Sequence, residues 1–281
     1  MTLGGKLGFF KISLLAGASL WGLVPTAVFA DTLNIGGTGG ALGTMQVLVE
    51  AFKKSHPDAK VVIVPGLGSG GGRKALLEKA IDLAVTSKAG KGVEKLEGAV
   101  ALLYGRSPFV FATSKKNPVT GLATQELVDI WSGKKTTWPN GQRLRLILRE
   151  ATDSDTELLK NISPAMEQAV KAALSREGMR IAFTDNDSAD AIESTPGALG
   201  TSLLALLISE NRSLKPLSLN GVMPSPKTIA NGSYPYFKSL YMLTKAQPQA
   251  SEMTQRFISF VLSAQGHKIL AQLGHWVVET K

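Results

Sequence analysis

A chain of 281 residues, 44% of them hydrophobic, with a formal charge of +9, is long enough for one large domain or two lobes with real cores. It has no cysteine, which excludes disulfides and a cysteine-borne lipid and leaves burial to supply the stability. The basic excess favours anionic ligands, but the charges are scattered and aromatics make up only 6%, which excludes the stacking platform of a nucleic-acid binder.

Lys6 and Lys11 give a basic start, Ile12–Val24 carries no charge, Pro25 ends the run, and Val28-Phe29-Ala30 resembles a signal-peptidase site. That order predicts a secretory signal peptide over residues 1–30, because the apolar run is short for a membrane span. An uncleaved anchor is the alternative. Export places the chain in the periplasm, and loss of the two lysines leaves a charge of +7.

Thr32–Ile35 predicts a strand and Gly36–Gly40 a glycine loop, while Leu42, Met45, Val49 and Phe52 mark one face of a helix ending near Lys53 and Lys54. Lys60–Val64 predicts a buried strand, Gly66–Gly72 a second glycine loop, Arg73–Ala80 a helix and Ile81–Val85 a third strand. This alternation argues for a mainly parallel sheet with helices on its faces. In such sheets ligands sit where strand ends meet helix starts.

Farther along, Pro108–Thr113 predicts a strand leaving the first lobe, Leu122–Trp131 a short helix, and Leu144–Leu148 a strand ending at Arg149. Ser163-Pro164 opens a helix that runs to about Arg176. Thr195–Gly200 turns into the apolar Thr201–Ile208, Tyr236–Leu243 predicts a strand, and Ala250–Leu273 holds helical spacing.

Three loops carry the chemistry: Gly37–Ala41, Gly68–Gly71, and Arg149 with Ser154–Thr156. Each sets hydroxyls and free backbone N–H groups near a helix N-terminus, which offers donors and partial positive charge to an anion. Glycine lets the backbone come close, and the Arg149 fork matches an oxyanion. Taken singly, a Ser or Thr before a helix is an N-cap, and an arginine after a strand is a surface residue. Gly66, Gly68 and Gly71 have dinucleotide-loop spacing, but no clear acidic partner ends the next strand, and Gly72–Ala75 lacks the P-loop order. The three histidines, His56, His267 and His275, lie far in sequence from the loops. No nucleophile elbow or metal-spaced cluster appears. Binding without catalysis, cofactor or metal is therefore expected.

Gly36–Gly40, Gly66–Gly72 with Ile81–Ser87, Leu127–Gly133 with Thr137-Trp138, Arg149-x4-Ser154-x-Thr156, Thr195–Gly200, Ile229–Pro235 and Phe260–Gly266 together resemble the periplasmic phosphate-binding proteins of ABC transporters. The resemblance spans nearly the whole chain after the leader. It implies an α/β, two-lobed type II periplasmic-binding-protein fold, each lobe a mainly parallel sheet flanked by helices, with the ligand in the interlobe cleft. The first lobe would be residues 31–112 completed by 228–281, and the second residues 113–227. It also implies capture of phosphate or a similar tetrahedral oxyanion by lobe closure and its delivery to an ABC permease; a monomer is expected, although the sequence does not fix the oligomeric state.

By the same resemblance, Thr38, Gly39 and Gly40 correspond to the first anion-binding turn, and Ser69 or the Gly70 amide to the second. Arg149, Ser154 and Thr156 correspond to the second lobe's guanidinium and hydroxyls. Asp155 stands where the family usually has glycine, and one extra residue separates Arg149 from Ser154. Ser87, followed by Lys88, occupies a position where many phosphate binders carry an aspartate that accepts a hydrogen bond from protonated phosphate. Asp153 or Asp155 is the candidate replacement, with helix capping as the alternative. Tungstate, molybdate, sulfate or a phosphonate stay open as ligands. An anion sensor and a periplasmic phosphatase stay open as roles. Lys134 and Lys135 are either docking charges or solvated ones.

Overall fold

The computed structural model describes residues 32–87 and 98–277, together with residues 1, 2 and 4. The apolar run and cleavage site of the expected signal peptide lie outside the described residues, as does Lys88. The chain opens with β1 (Leu33–Gly37), α1 (Gly39–Lys53), β2 (Val61–Val64), α2 (Gly68–Leu77) and β3 (Leu83–Thr86). β1 runs parallel to β2 on one side and β3 on the other, the arrangement that strand–helix alternation produces. The apolar face of α1, with Met45, Leu48, Val49 and Phe52, packs with Leu33 and Ile35 of β1 in the main core.

Next come β4 (Ala99–Ser114), β5 (Gly121–Leu122), α3 (Thr124–Ser132), β6 (Arg145–Arg149), α4 (Ser154–Lys160), α5 (Pro164–Leu174) and β7 (Arg180–Ala182). They are followed by α6 (Asp185–Ser194), β8 (Ala198–Leu203), α7 (Leu204–Ser209), β9 (Leu214–Pro216), β10 (Ser218–Leu219) and α8 (Pro226–Ala230). β11 (Phe237–Lys245), α9 (Glu252–Val261) and α10 (Ala264–Gln272) close the described chain.

β4 changes partners along its length, and this produces the two lobes. Ala99–Pro108 run antiparallel to β11, with a register shift between Leu240 and Tyr241, and β11 also borders β3. Phe109–Thr113 pair instead with β8, and Ala112–Ser114 with β9. β8 continues in parallel to β6, and β6 to β7. One group of strands, β2-β1-β3-β11, and another, β8-β6-β7, thus share β4. Beyond the exchange point β4 is buried: Phe109 and Phe111 meet edge to face at 5.8 Å, and Phe111 meets Trp131 at 5.9 Å. β5 and β10 form a separate parallel pair.

Several expectations need correction. β2 is an edge strand with Val62 47% exposed, because it pairs with β1 alone among the described strands. α2 begins at Gly68, within the stretch read as a loop. α4 starts at Ser154, the helix start expected after Arg149, whereas α6 arises where none was expected. Ser163 caps α5 by accepting from the Met166 amide at 3.1 Å, as its Ser-Pro start implies. The helical C-terminal stretch breaks in two, and Ser263 accepts from Gly266 N at 3.2 Å to start α10. Lys135 pairs with Glu126. Among the described residues, no helix is long and apolar enough to cross a membrane.

Candidate functional site

Strand ends of both lobes converge on one point. From the first lobe come Thr38, which follows β1 and precedes α1, Ser69 in the first turn of α2, and Ser87 just past β3. From the second come Arg149 at the end of β6, the start of α4, and the start of α6 after β7. β11 adds Lys238.

Hydroxyls bridge the lobes. Ser87 N donates to Ser69 Oγ at 3.3 Å, and the two hydroxyl oxygens are 3.4 Å apart. Ser87 Oγ is in turn 3.4 Å from Ser154 Oγ, which accepts from Lys238 Nζ at 2.9 Å.

Beside that line lies a buried ionic cluster. Asp185 Oδ2 accepts from both Thr38 Oγ1 and Gly40 N, each at 2.8 Å. Its Oδ1 is 3.3 Å from Arg149 Nη1, while Arg149 Nη2 donates to Asp153 Oδ2 at 2.8 Å. Asp153 caps α4, accepting from Asp155 N at 2.8 Å. Asp155 is buried, pairs with Lys238 through Oδ1, and accepts from Thr201 Oγ1 at 2.5 Å through Oδ2. Each buried charge therefore has opposite charge and hydrogen bonds, without which its desolvation would be prohibitive. Arg149 Nε, however, is buried with no hydrogen-bond partner.

The titration of the cluster follows from its contacts. Burial opposes the Asp185 charge, but Lys238, Arg149 and the bonds from Gly40 and Thr38 outweigh it and hold the carboxyl below the usual carboxylate range. Burial and the neighbouring Asp155 push Asp153 up, against Arg149 and Lys238. Burial works against the Lys238 ammonium, yet Asp155, Asp185 and Asp153 keep it charged. Three carboxylates face two cations.

The structure brings Thr38, Gly40, Ser69, Ser87, Arg149, Ser154 and Asp155 together. Gly39 is buried against Asn186 of α6. Gly70 stays on the exposed side of α2. The Thr156 hydroxyl donates back to Arg149 O at 3.3 Å. Asp185 and Lys238 were not anticipated. The Thr184-x-x-Asp187 capping box ahead of a small helix was a legible sign of α6, whereas Lys238 is one charge in an otherwise ordinary strand. Among the described residues, no group of side chains could hold a metal ion.

Residues 25–265 match the family model of the PBP superfamily domain, and the chain belongs to that family. Among curated proteins, it is 26% identical over 239 residues to the phosphate-binding protein PstS of Bacillus subtilis (strain 168), covering 83% of this chain and 76% of that one. Among solved structures, it aligns at a TM-score of 0.73 and 23% identity with a candidate phosphate ABC transporter substrate-binding protein from Clostridium perfringens with bound phosphate. That alignment covers 89% of this chain and 100% of the other. An ABC-type phosphate transport receptor from Vibrio cholerae gives a TM-score of 0.60 at 20% identity, over 88% and 100% of the two chains. The structural matches share the two-lobed α/β fold expected from the sequence.

Proposed function

We propose that this chain is an exported binding protein that captures phosphate, or a closely similar tetrahedral oxyanion, between its lobes. It then hands the anion, as a periplasmic monomer, to an ABC permease. The observation that carries this reading is Arg149, a buried guanidinium with a free Nε, set beside hydroxyls from both lobes. Such a group finds its natural partner in a desolvated oxyanion. The Bacillus relative, a phosphate-binding protein by name, and the bound phosphate of the Clostridium structure support the choice of anion.

The closing lobes are residues 31–112 with 228–281, and residues 113–227. The exchange of partners in β4 at Pro108–Phe109 supports a hinge close to the first boundary. Asp153, an ionised carboxylate beside Arg149, is the acceptor for the proton of a protonated phosphate, which sulfate lacks; Ser87, which can donate as well as accept, does not discriminate between the two. Capture needs no turnover, and no histidine joins the cluster: His275 is buried against Thr44 and His56 stacks on Phe52.

Isothermal titration of the ligand-stripped protein with phosphate, sulfate, molybdate and tungstate tests the reading. Phosphate is expected to bind in preference to sulfate. Arg149→Ala is expected to weaken it by about 2–5 kcal/mol; retained affinity in that variant would move the site elsewhere. Tighter binding of one of the other three anions would reassign the ligand within the same cleft.

A further inference from the structure

We propose that Asp185 is a tethered stand-in for the ligand. Its carboxylate occupies the N-terminus of α1, holds the lobes closed without an anion, and competes with the incoming oxyanion. The proposal rests on the capture reading above and adds to it an affinity-setting residue outside the sequence motifs.

The geometry is that of a bound anion. A helix N-terminus presents its free N–H groups and partial positive charge to a negative group. At α1 those donors are the Thr38 hydroxyl and the Gly40 amide, and both go to one oxygen of Asp185, at 2.8 Å each. The other oxygen faces Arg149 Nη1 at 3.3 Å. One carboxylate from the chain itself thus engages three residues, Thr38, Gly40 and Arg149, that the motifs assign to a free anion.

The contact is built into the packing. A Cβ placed on Gly39 would overlap Asn186 Oδ1, and one on Gly40 would lie 3.4 Å from Asp185 Cγ. The start of α6 therefore rests directly on the start of α1 because Gly39 has no side chain, while a Cβ on Gly40 would press on Leu203 Cδ1 at 2.8 Å. Thr38 and Gly40 belong to the first lobe and Asp185 to the second, so these bonds cross the cleft and act as a latch.

Charge makes the two occupants exclusive. Asp153, Asp155 and Asp185 already outnumber Arg149 and Lys238 in the cluster. A dianion at the α1 terminus beside a charged Asp185 would meet strong repulsion at short range. The oxyanion has to displace the carboxylate, and its apparent affinity falls by the fraction of molecules in which Asp185 has let go.

The test is phosphate titration of the ligand-stripped wild type, Asp185→Ala and the gentler Asp185→Asn, with circular dichroism to confirm folding and small-angle X-ray scattering to report closure. If Asp185 competes, Asp185→Ala binds phosphate about tenfold or more tighter than wild type, with Asp185→Asn shifted the same way. Unliganded Asp185→Ala is also more extended than wild type and contracts when phosphate is added. Wild-type binding that both variants leave unchanged or weaken overturns the stand-in role while the capture reading survives. Folded variants and wild type that are all silent to phosphate overturn both together.

Discussion

Lys238 ties β11 to the start of α4 through Ser154 and Asp155, and its charge helps to hold the Asp185 carboxyl below the usual carboxylate range. It is 6% exposed, and the buried Asp155 depends on it. Replacing one member of such a pair strands the other, which costs about 3–5 kcal/mol. Lys238→Met is expected to destabilise the protein by that amount in urea unfolding. Adding Asp155→Leu should recover most of the loss, since a pair replaced whole by apolar groups is close to neutral. His275 makes a different demand. Its ring is buried, with Nε2 3.0 Å from Thr44 Oγ1 and no partner for Nδ1, and burial holds its pKa down to about 3. The unfolded chain takes up the proton first, so the native state loses stability as pH falls below the ordinary histidine value, by about 1.4 kcal/mol per unit. Unfolding free energies from urea titration at pH 7 and pH 5 should differ by about 2 kcal/mol more in wild type than in His275→Gln; equal differences would show the ring is not held neutral. At this scale Arg149 was legible because it ends a strand next to a Ser-x-Thr turn. Asp185 was not, because its value lies in meeting Thr38, 147 residues away.

The elements were largely readable, and the misreadings have physical causes. Strand–helix alternation survives in β1 to β3 because apolar periodicity switches cleanly there. α2 was misplaced because five glycines in seven residues, Gly66–Gly72, favour coil by propensity. The helix runs through them because tertiary packing overrides that preference: a Cβ on Gly72 would lie 2.6 Å from the Gly37 Cα, so only glycine lets α2 close onto the end of β1. Gly72→Ala should therefore destabilise by about 1–3 kcal/mol as the two backbones are forced apart. Gly70→Ala, with nothing within 4 Å of its Cβ, should be neutral or stabilise by up to about 1 kcal/mol. Thermal denaturation of the two variants separates these outcomes, and equal behaviour would mean the Gly72–Gly37 approach is not a constraint. β2 was read as buried because a run of valine and isoleucine is the same whether a strand has one neighbour or two.

For the whole molecule, the order of motifs along the chain was enough to expect two lobes, because each glycine loop or arginine turn announces a strand end. It could not reveal that one strand serves both lobes, since the exchange from β11 to β8 at Pro108–Phe109 is a property of pairing and not of composition. Nor could it reveal the ionic cluster, whose members come from four separate places on the chain. The shared strand has a mechanical consequence. β4 and β11 are laddered along most of their common length, so the connection between the lobes is not a slack joint. The ladder with β11 stiffens β4 up to Pro108, and the ladders with β8 and β9 stiffen it from Phe109 onward, so the interruption that lies between the lobes is the change of partner at Pro108–Phe109. A bend at that change of partner would turn one lobe against the other and leave both ladders intact, as a book opens at its spine while its pages stay bound.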